Sequence, residues 1–292
     1  MTAAWDTVAI LGVGLIGGSI GLGLRKRGLA RRIIGVGRRP ASLRLARSRG
    51  AVTETTTDLS KGVAEADLVV VCTPVELVAA QVLEVRRHCP RQALITDVAS
   101  TKESIVAAVV AGEAAAEQAR SNGDLRGVFV GSHPMAGSEK TGVRYASADL
   151  FEGRAVVVTP TPATPPTSLR RTIRLWKSLG ARVTQMTGES HDEAVAAISH
   201  LPHLVASALA AVTPVEPLPI VAGGWLDTTR VAAGDVELWR QIFGDNRRRL
   251  VPCLDQYIKM LAQFRKALVE FDEPELRRLL QAGKERRDAV GN

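Results

Sequence analysis

The sequence predicts an α/β domain followed by a helical domain, and three observations lead to this prediction. A glycine-rich turn near the N-terminus lies between a β-rich apolar run and a helix-like segment. Short β-branched runs then alternate with amphipathic stretches as far as residue 187, as in a sheet with crossover helices. From Gly188 onward the periodicity is helical. We therefore predict two domains, residues 1–187 and residues 188–292.

The glycine-rich turn lies in the run VAILGVGLIGGSIGLGLRKR, residues 8–27, and has the form G-x-G-x-x-G. Gly12 permits a tight turn, Gly14 removes a side chain that would keep a pyrophosphate off the backbone, and Gly17 lets the helix approach the strand. The start of the helix adds unpaired N–H groups and a positive dipole end. This context predicts a Rossmann-like dinucleotide-binding domain. The residues predicted to contact the dinucleotide here are Gly12, Gly14, Leu15, Ile16 and Gly17.

The second predicted strand, residues 32–36, ends just before Gly37, Arg38 and Arg39. An acidic residue at this place would bond the ribose 2′-hydroxyl of NAD. Two guanidiniums are present instead, and they suit a 2′-phosphate, so the sequence favours NADP over NAD. The alternative interpretation is that both arginines belong to a solvated loop.

The run at residues 67–72 is apolar and β-branched, which is typical of a strand buried on both faces. Thr73 and Pro74 follow it and end the strand at the sheet edge where cofactors bind. An amphipathic helix is predicted for residues 75–87. We predict that Thr73 and Pro74 contact the cofactor.

The next strand, residues 93–96, continues into DVASTKE at residues 97–103. Ser100 and Glu103 have the spacing of a capping box for the following helix, which is a sufficient structural reason for the serine. Ser100 also follows the carboxyl end of a strand, where α/β sheets bind ligands. The structural and the functional interpretation are compatible.

A short strand at residues 128–130 opens into GSHPMAGSEKTG, residues 131–142. His133 lies there between a strand end and Pro134 in a glycine-rich loop, which is a poor place for a core histidine and a good one for an acid–base group. Residues 154–159 are predicted to return to the same sheet.

The helical part of the chain holds His191, His200 and His203 within 13 residues. We predict no metal site, because Pro202 distorts the helical spacing and no cysteine or nearby carboxylate completes a ligand set. Residues 245–270 form a long amphipathic helix whose apolar stripe suits either a core or a dimer seam. The small size of the second domain favours burial between subunits, hence a homodimer through the C-terminal helices.

Composition excludes several other classes of protein. The net charge is +8 and the isoelectric point is near 9.9, but the arginines are scattered and only 4% of residues are aromatic, so we expect no nucleic acid partner. The uncharged residues 8–24 are rich in glycine and lack a preceding basic region, so we expect no membrane partner. Three widely spaced cysteines fit no disulfide framework, which favours the cytoplasm.

Five motifs occur in a fixed order along the chain: GxGLIGGS, DVASTK, GSHPMAGSE, SHLPH and a DTTR…LW pair. With these motifs the chain resembles the prephenate/arogenate dehydrogenase family of tyrosine biosynthesis. The resemblance spans nearly the whole chain and implies a Rossmann-like domain, an all-helical dimerisation domain and an active site between them. It also implies oxidative decarboxylation of prephenate to 4-hydroxyphenylpyruvate, or of arogenate to tyrosine.

The resemblance also implies roles for individual residues. His133 resembles the histidine that bonds the ring hydroxyl and assists its deprotonation, and Ser100 resembles the serine that orients that histidine and the hydroxyl. His203 and Arg230 resemble substrate-binding residues, with Arg230 as the partner of a substrate carboxylate. The other pocket positions that the resemblance implies are Glu139 and Trp239.

Two other functions are consistent with parts of the sequence. A β-hydroxyacid dehydrogenase would share the glycine turn and a helical second domain, but that class relies on a lysine from its second domain, for which the sequence offers no obvious candidate. A cofactor-sensing protein without catalysis would not need Ser100, His133, His203 and Arg230 together. No motif distinguishes prephenate from arogenate, which differ by a keto or amino group.

Overall fold

The computed structural model describes residues 4–118, 125–138 and 140–291. The strands are β1 (Trp5–Leu11), β2 (Ala30–Val36), β3 (Glu54–Thr56), β4 (Leu68–Val71), β5 (Leu94–Asp97), β6 (Val128–Phe129), β7 (Gly131–Pro134), β8 (Ala155–Thr159) and β9 (Arg182–Gln185). The helices are α1 (Leu15–Lys26), α2 (Pro40–Ser48), α3 (Leu59–Val63), α4 (Val75–His88), α5 (Glu103–Gln118), α6 (Pro166–Ser178), α7 (Gly188–Val195), α8 (Leu201–Val212), α9 (Gly223–Thr229), α10 (Val236–Asp245), α11 (Arg247–Glu270) and α12 (Glu273–Asp288).

The first sheet has the strand order β3-β2-β1-β4-β5-β6, and its strand pairs are all parallel in the part of the chain that is described. This order places β1 beside β4 at the point where the direction of winding reverses, which is where doubly wound sheets bind dinucleotides. Val8 and Ile10 of β1 are fully buried in the core on one face of this sheet, and Ala9 of β1 and Val69 of β4 are fully buried in the core on the other. The prediction of a Rossmann-like domain followed by helices is confirmed.

A second, smaller sheet has the order β7-β8-β9, with β7 antiparallel to β8 and β8 parallel to β9. The prediction that residues 154–159 return to the first sheet is therefore wrong. The backbone N–H of Ser132 donates to the Asp97 carboxylate at 3.0 Å instead of extending the ladder of β6. This bond anchors β7, which carries His133, to the carboxyl end of β5.

The helical part begins with a continuous run from Gly188 to Val212, made of α7, a π-helical turn at Ala196–His200, and α8. The π-helical turn lies directly before Pro202, whose ring nitrogen has no proton to donate, so the predicted distortion of the helix is present. By length and hydropathy alone the run could cross a bilayer. Its buried Asp192, however, accepts the backbone N–H groups of Lys102 and Glu103, so the start of the run is fixed to the α/β domain.

The apolar stripe of α11 is largely uncovered in the single chain. Leu250 is buried, but Ile258, Leu261 and Leu268 are 53%, 47% and 62% exposed. The stripe is therefore not the core of one chain.

Candidate active site

The glycine turn between β1 and α1 has the geometry that a dinucleotide requires. Gly12 has a φ of +88°, and a Cβ added there would lie 2.5 Å from the carbonyl oxygen of Cys72. A Cβ on Gly17 would lie 2.3 Å from the carbonyl oxygen of Gly12, so the helix could not approach the strand. A Cβ on Gly14 would meet no atom within 4 Å, which leaves open space beside the N-terminus of α1. That space fits a pyrophosphate, and Leu15 and Ile16 begin the helix that faces it.

Alanine substitutions at Gly17 and Gly14 should separate folding from cofactor binding. Gly17→Ala forces backbone apart, so we expect a loss of roughly 1–3 kcal/mol in the free energy of unfolding. Gly14→Ala meets no protein atom, so we expect unchanged stability and a loss of dinucleotide affinity of about tenfold, or about 1.4 kcal/mol. Thermal unfolding and a fluorescence titration with reduced dinucleotide measure the two effects. Equal cofactor affinity in Gly14→Ala and the wild type would contradict the pyrophosphate assignment.

The other predicted cofactor residues lie at the same sheet edge. Thr73 follows β4, and its methyl group would lie 3.2 Å from a Cβ on Gly12. The Thr73 hydroxyl donates to Gln81 Oε1 of α4 at 2.6 Å, and Pro74 precedes the first residue of that helix. Arg38 and Arg39 are exposed between β2 and α2.

His133 is the histidine that the second sheet places at the carboxyl end of the first. It is 7% exposed on β7, and its Nδ1 lies 2.8 Å from Nε2 of His191. The two rings meet edge to face with centroids 5.0 Å apart. Nδ1 of His191 lies in turn 2.7 Å from Oδ1 of Asp192. The three side chains form a line of hydrogen bonds that joins β7 to α7.

The Asp192 carboxylate also binds the N-terminus of α5. Its two oxygens accept the backbone N–H groups of Lys102 at 2.8 Å and Glu103 at 2.9 Å. A capping box would pair the Glu103 N–H with the Ser100 side chain, whereas in the structure this N–H donates to Asp192. Ser100 is half-buried in the loop between β5 and α5.

At the carboxyl end of β5 lies a fully buried ion pair between Lys102 Nζ and the Asp97 carboxylate. Asp97 also accepts the backbone N–H groups of Ala99 and Ser132, each at 3.0 Å. Burial holds the pKa of His133 well below its usual range, and positive charge nearby, such as that of Lys102, lowers it further. His133 is therefore neutral at physiological pH and able to accept a proton.

His203 and Trp239 lie together in the helical part. Their rings stack with centroids 3.5 Å apart and planes 15° from parallel, and Gly234 leaves the room for this stack, since a Cβ there would lie 2.7 Å from the indole nitrogen. His203 is 5% exposed, and its Nδ1 has no hydrogen-bond partner among the described residues. Burial lowers the pKa of His203 to about 4, so this ring is also neutral.

The three histidines of the helical run do not converge. His191 bonds to His133, His203 stacks on Trp239, and Nδ1 of His200 lies 3.1 Å from the Asn246 amide. Within residues 4–118, 125–138 and 140–291, no group of three or more histidine, cysteine or acidic side chains is arranged to hold a metal ion.

Arg230 is exposed and begins a 3-10 turn, Arg230–Ala233, that packs along α8. The turn ends at Gly234, beside the stacked pair of His203 and Trp239. Arg230 is thus four residues before Gly234, the glycine against which that pair packs. Glu139, the other predicted pocket residue, lies outside the described residues.

Sequence reasoning assigned no role in the site to four charged or titratable residues. Two of them, Asp97 and Lys102, lie inside the DVASTK motif, and their presence at the end of an apolar strand is the signal that could have found them. The other two, His191 and Asp192, are an adjacent histidine and aspartate at the start of the first helix after β9. No periodicity connects the His191–Asp192 pair with His133.

Two family models match the chain in succession. The nucleotide-binding domain of prephenate dehydrogenase matches residues 20–185, and the dimerization domain of prephenate dehydrogenase matches residues 187–282. Among individual proteins, prephenate dehydrogenase of Bacillus subtilis is 33% identical over 98% of this chain and 76% of its own length. Cyclohexadienyl dehydrogenase of Zymomonas mobilis is 31% identical over 74% of this chain and 73% of its own length.

Solved structures agree with these matches. Prephenate dehydrogenase from Aquifex aeolicus, in complex with hydroxyphenyl propionate and NAD+, superposes with a TM-score of 0.85 at 32% identity and covers 98% of both chains. Arogenate dehydrogenase of Synechocystis superposes with a TM-score of 0.77 at 32% identity, covering 97% of this chain and 99% of its own.

Proposed function

Because the chain belongs to the prephenate dehydrogenase family, we propose that it converts prephenate to 4-hydroxyphenylpyruvate by oxidative decarboxylation. It is a nicotinamide-dependent dehydrogenase with a small-molecule substrate. The observation that carries the proposal is the buried, neutral His133 at the same end of the sheet as the open space beside Gly14. A base and a dinucleotide site at one sheet edge are what the oxidation of a ring alcohol requires.

When held at the glycine turn, a nicotinamide dinucleotide would accept the hydride from the ring carbon that carries the hydroxyl. Loss of carbon dioxide would then make the ring aromatic. His133 takes the hydroxyl proton during the oxidation and returns it to the same oxygen when the ring becomes aromatic. Its lowered pKa keeps it in the proton-accepting form at neutral pH. The remaining task of the protein is to hold the substrate against the dinucleotide.

The helical part supplies the groups proposed to hold the substrate. Arg230 suits a substrate carboxylate, because a guanidinium can bond both of its oxygens. The stacked His203 and Trp239 offer a flat apolar surface, and Nδ1 of His203 is buried there with no hydrogen-bond partner in the described part of the chain. We assign Ser100, in the loop between β5 and α5, to orienting His133 and the substrate hydroxyl, as the family resemblance implies. Glu139 retains its proposed place in the pocket from the family resemblance alone.

Arogenate is the alternative substrate, and the similarity to the Synechocystis arogenate dehydrogenase keeps it in consideration. The two substrates share the ring hydroxyl and the ring carboxylate, so they would use His133 and Arg230 alike. They differ only in the side chain, where a keto group replaces an amino group.

Arg38 and Arg39 support a preference for NADP. Both are exposed directly after β2, and Gly37 stands where an acidic residue would repel a 2′-phosphate. The Aquifex aeolicus relative was solved with NAD+, so the family fold accepts that cofactor as well.

Replacing Arg38 and Arg39 together by alanine should weaken NADP binding about 10- to 100-fold, because hydrogen bonds to a charged group contribute about 1.5–3 kcal/mol. NAD binding should stay the same. The matched control is Arg49→Ala, which removes an exposed arginine at the opposite end of α2. Dissociation constants for both cofactors, measured at one salt concentration, check the effect. Equal losses for NADP and NAD would contradict the 2′-phosphate assignment.

We also propose a homodimer through the C-terminal helices. Ile258, Leu261 and Leu268 of α11 leave an apolar stripe uncovered in one chain, and a second copy would bury it. Light scattering should give about twice the chain mass of 31.2 kDa.

The proposed location is the cytoplasm. The free thiols of Cys72, Cys89 and Cys253 suit this location.

The test of the proposed function is formation of reduced dinucleotide by the purified protein, with prephenate and arogenate each offered with NADP and with NAD. We expect turnover with prephenate and a higher kcat/KM with NADP. Turnover with arogenate but not with prephenate would make arogenate the substrate. No turnover in any combination, by folded protein that binds the dinucleotide, would reject the proposed activity.

A further inference from the structure

The hydrogen bonds of Asp192 determine which nitrogen of His191 carries a proton. The Asp192 carboxylate accepts the N–H groups of Lys102 and Glu103 at the start of α5, so it lies in a site that favours negative charge. An ionised carboxylate only accepts hydrogen bonds. The contact of 2.7 Å with His191 therefore requires a proton on Nδ1 of His191.

The same reasoning extends one ring further. A neutral His191 with its proton on Nδ1 has a lone pair on Nε2. Nδ1 of His133, 2.8 Å away, must then donate its own proton to that lone pair. The lone pair of His133 is therefore on Nε2. This nitrogen takes no part in the hydrogen bonds that join His133, His191 and Asp192.

We propose that Asp192 and His191 are positioning residues that fix His133 in the form able to accept the substrate proton, and that His191 shares that proton once it is taken. The inference rests on the proposed dehydrogenase function. The hydroxyl proton moves to Nε2 of His133, and the Nδ1 proton of His133 passes to Nε2 of His191. Both protons return along the same path when the substrate oxygen is protonated again. A buried aspartate fixes the tautomer of a catalytic histidine in hydrolase triads by the same physical principle.

The charges around the two rings favour this path. Asp192 on α7 faces His191 and stabilises a positive charge there. Lys102, from the loop before α5, opposes a positive charge on His133, whereas His200, from the π-helical turn, is neutral in the assay range. The negative charge of Asp97, the partner of Lys102, offsets part of this effect. The electrostatic free energy therefore falls when the proton moves from His133 to His191, which lies beside Asp192.

The tautomers can be read without activity, from the protein labelled with ¹⁵N in its five histidines. A ring nitrogen that carries a proton and one that carries a lone pair have well separated ¹⁵N shifts, and the spectrum of His133→Asn identifies the His133 signals. At pH 8 we expect a proton on Nδ1 and a lone pair on Nε2 of His133. The opposite tautomer of His133 would overturn the proposal.

The kinetic test compares His191→Gln and His191→Phe with the wild type. The amide oxygen of glutamine can accept the Nδ1 proton of His133 as a hydrogen bond but cannot take that proton, so we expect a fall in kcat of about tenfold. Phenylalanine cannot accept the bond at all, so we expect a fall of about 100-fold or more. In His191→Gln the acid limb of kcat/KM should move to lower pH, since burial lowers the pKa of His133 and Asp192 no longer stabilises the proton.

His200→Gln is the matched control, because it removes another buried histidine from the same helical run. Burial lowers the pKa of His200 to about 4, so His200 is neutral across the assay range and its loss should not move the acid limb. An unshifted acid limb in His191→Gln, with a uniform loss of kcat, would leave His191 a packing residue only. If the wild-type protein shows no turnover but has the expected His133 tautomer, the proposed function is rejected. The conclusion that Asp192 and His191 fix this tautomer still stands.

Discussion

Replacing His133 by asparagine lowers kcat about 10²- to 10⁴-fold, the usual contribution of a general base. The amide cannot take the hydroxyl proton at neutral pH, whereas the neutral imidazole can. Cofactor affinity should not change, because the glycine turn between β1 and α1 is built without His133. Steady-state kinetics with prephenate and a separate dinucleotide titration measure both quantities.

The matched control for this variant is His88→Asn, an exposed histidine at the end of α4 that pairs with Glu84. It should keep the wild-type kcat and KM. If His133→Asn also keeps the wild-type kcat while remaining folded, the proton is removed by another group and the role assigned to His133 is wrong. A parallel loss of cofactor binding would instead indicate a local collapse of β7.

Replacing Lys102 by methionine lowers the free energy of unfolding by about 3–5 kcal/mol, because it leaves the Asp97 carboxylate buried without its cation. Among the described residues, the Asp97 carboxylate then keeps the N–H groups of Ala99 and Ser132 as its hydrogen-bond partners. Urea denaturation at pH 7 measures the change. The double variant Asp97→Asn with Lys102→Met should recover most of the loss, since an amide oxygen still accepts one of these N–H groups and no charge is left unpaired.

Lys61→Met is the matched control for the buried pair. Lys61 is 80% exposed and lies 3.7 Å from Asp58, and exposed pairs of this kind contribute little to stability. Its urea midpoint should match that of the wild type. A similarly small effect of Lys102→Met would mean that water reaches Asp97 and compensates for the lost cation.

Much of the fold was predictable because it depends on patterns among residues that are near one another in the chain. The glycine turn, the buried strand β4 and the helix α4 each follow from a pattern within about 20 residues. The predicted strand at residues 32–36 and the predicted helix at residues 245–270 lie within β2 and α10–α11. The short β3 and α3 were not predicted, because segments of three and five residues have too few positions to show a period.

The sequence by itself determined the class of the protein: the order of strands and helices, the dinucleotide turn, and the unusual placement of His133 beside a strand end. Only the tertiary structure decided the surroundings of that histidine. His133 and His191 are 58 residues apart in the chain, and Lys102 and Asp192 are 90 apart. The physical reason is that periodicity reports which face of an element is buried, whereas partners are set by how elements pack. The second sheet brings β7 to α7, and that packing gives His133 its neighbours.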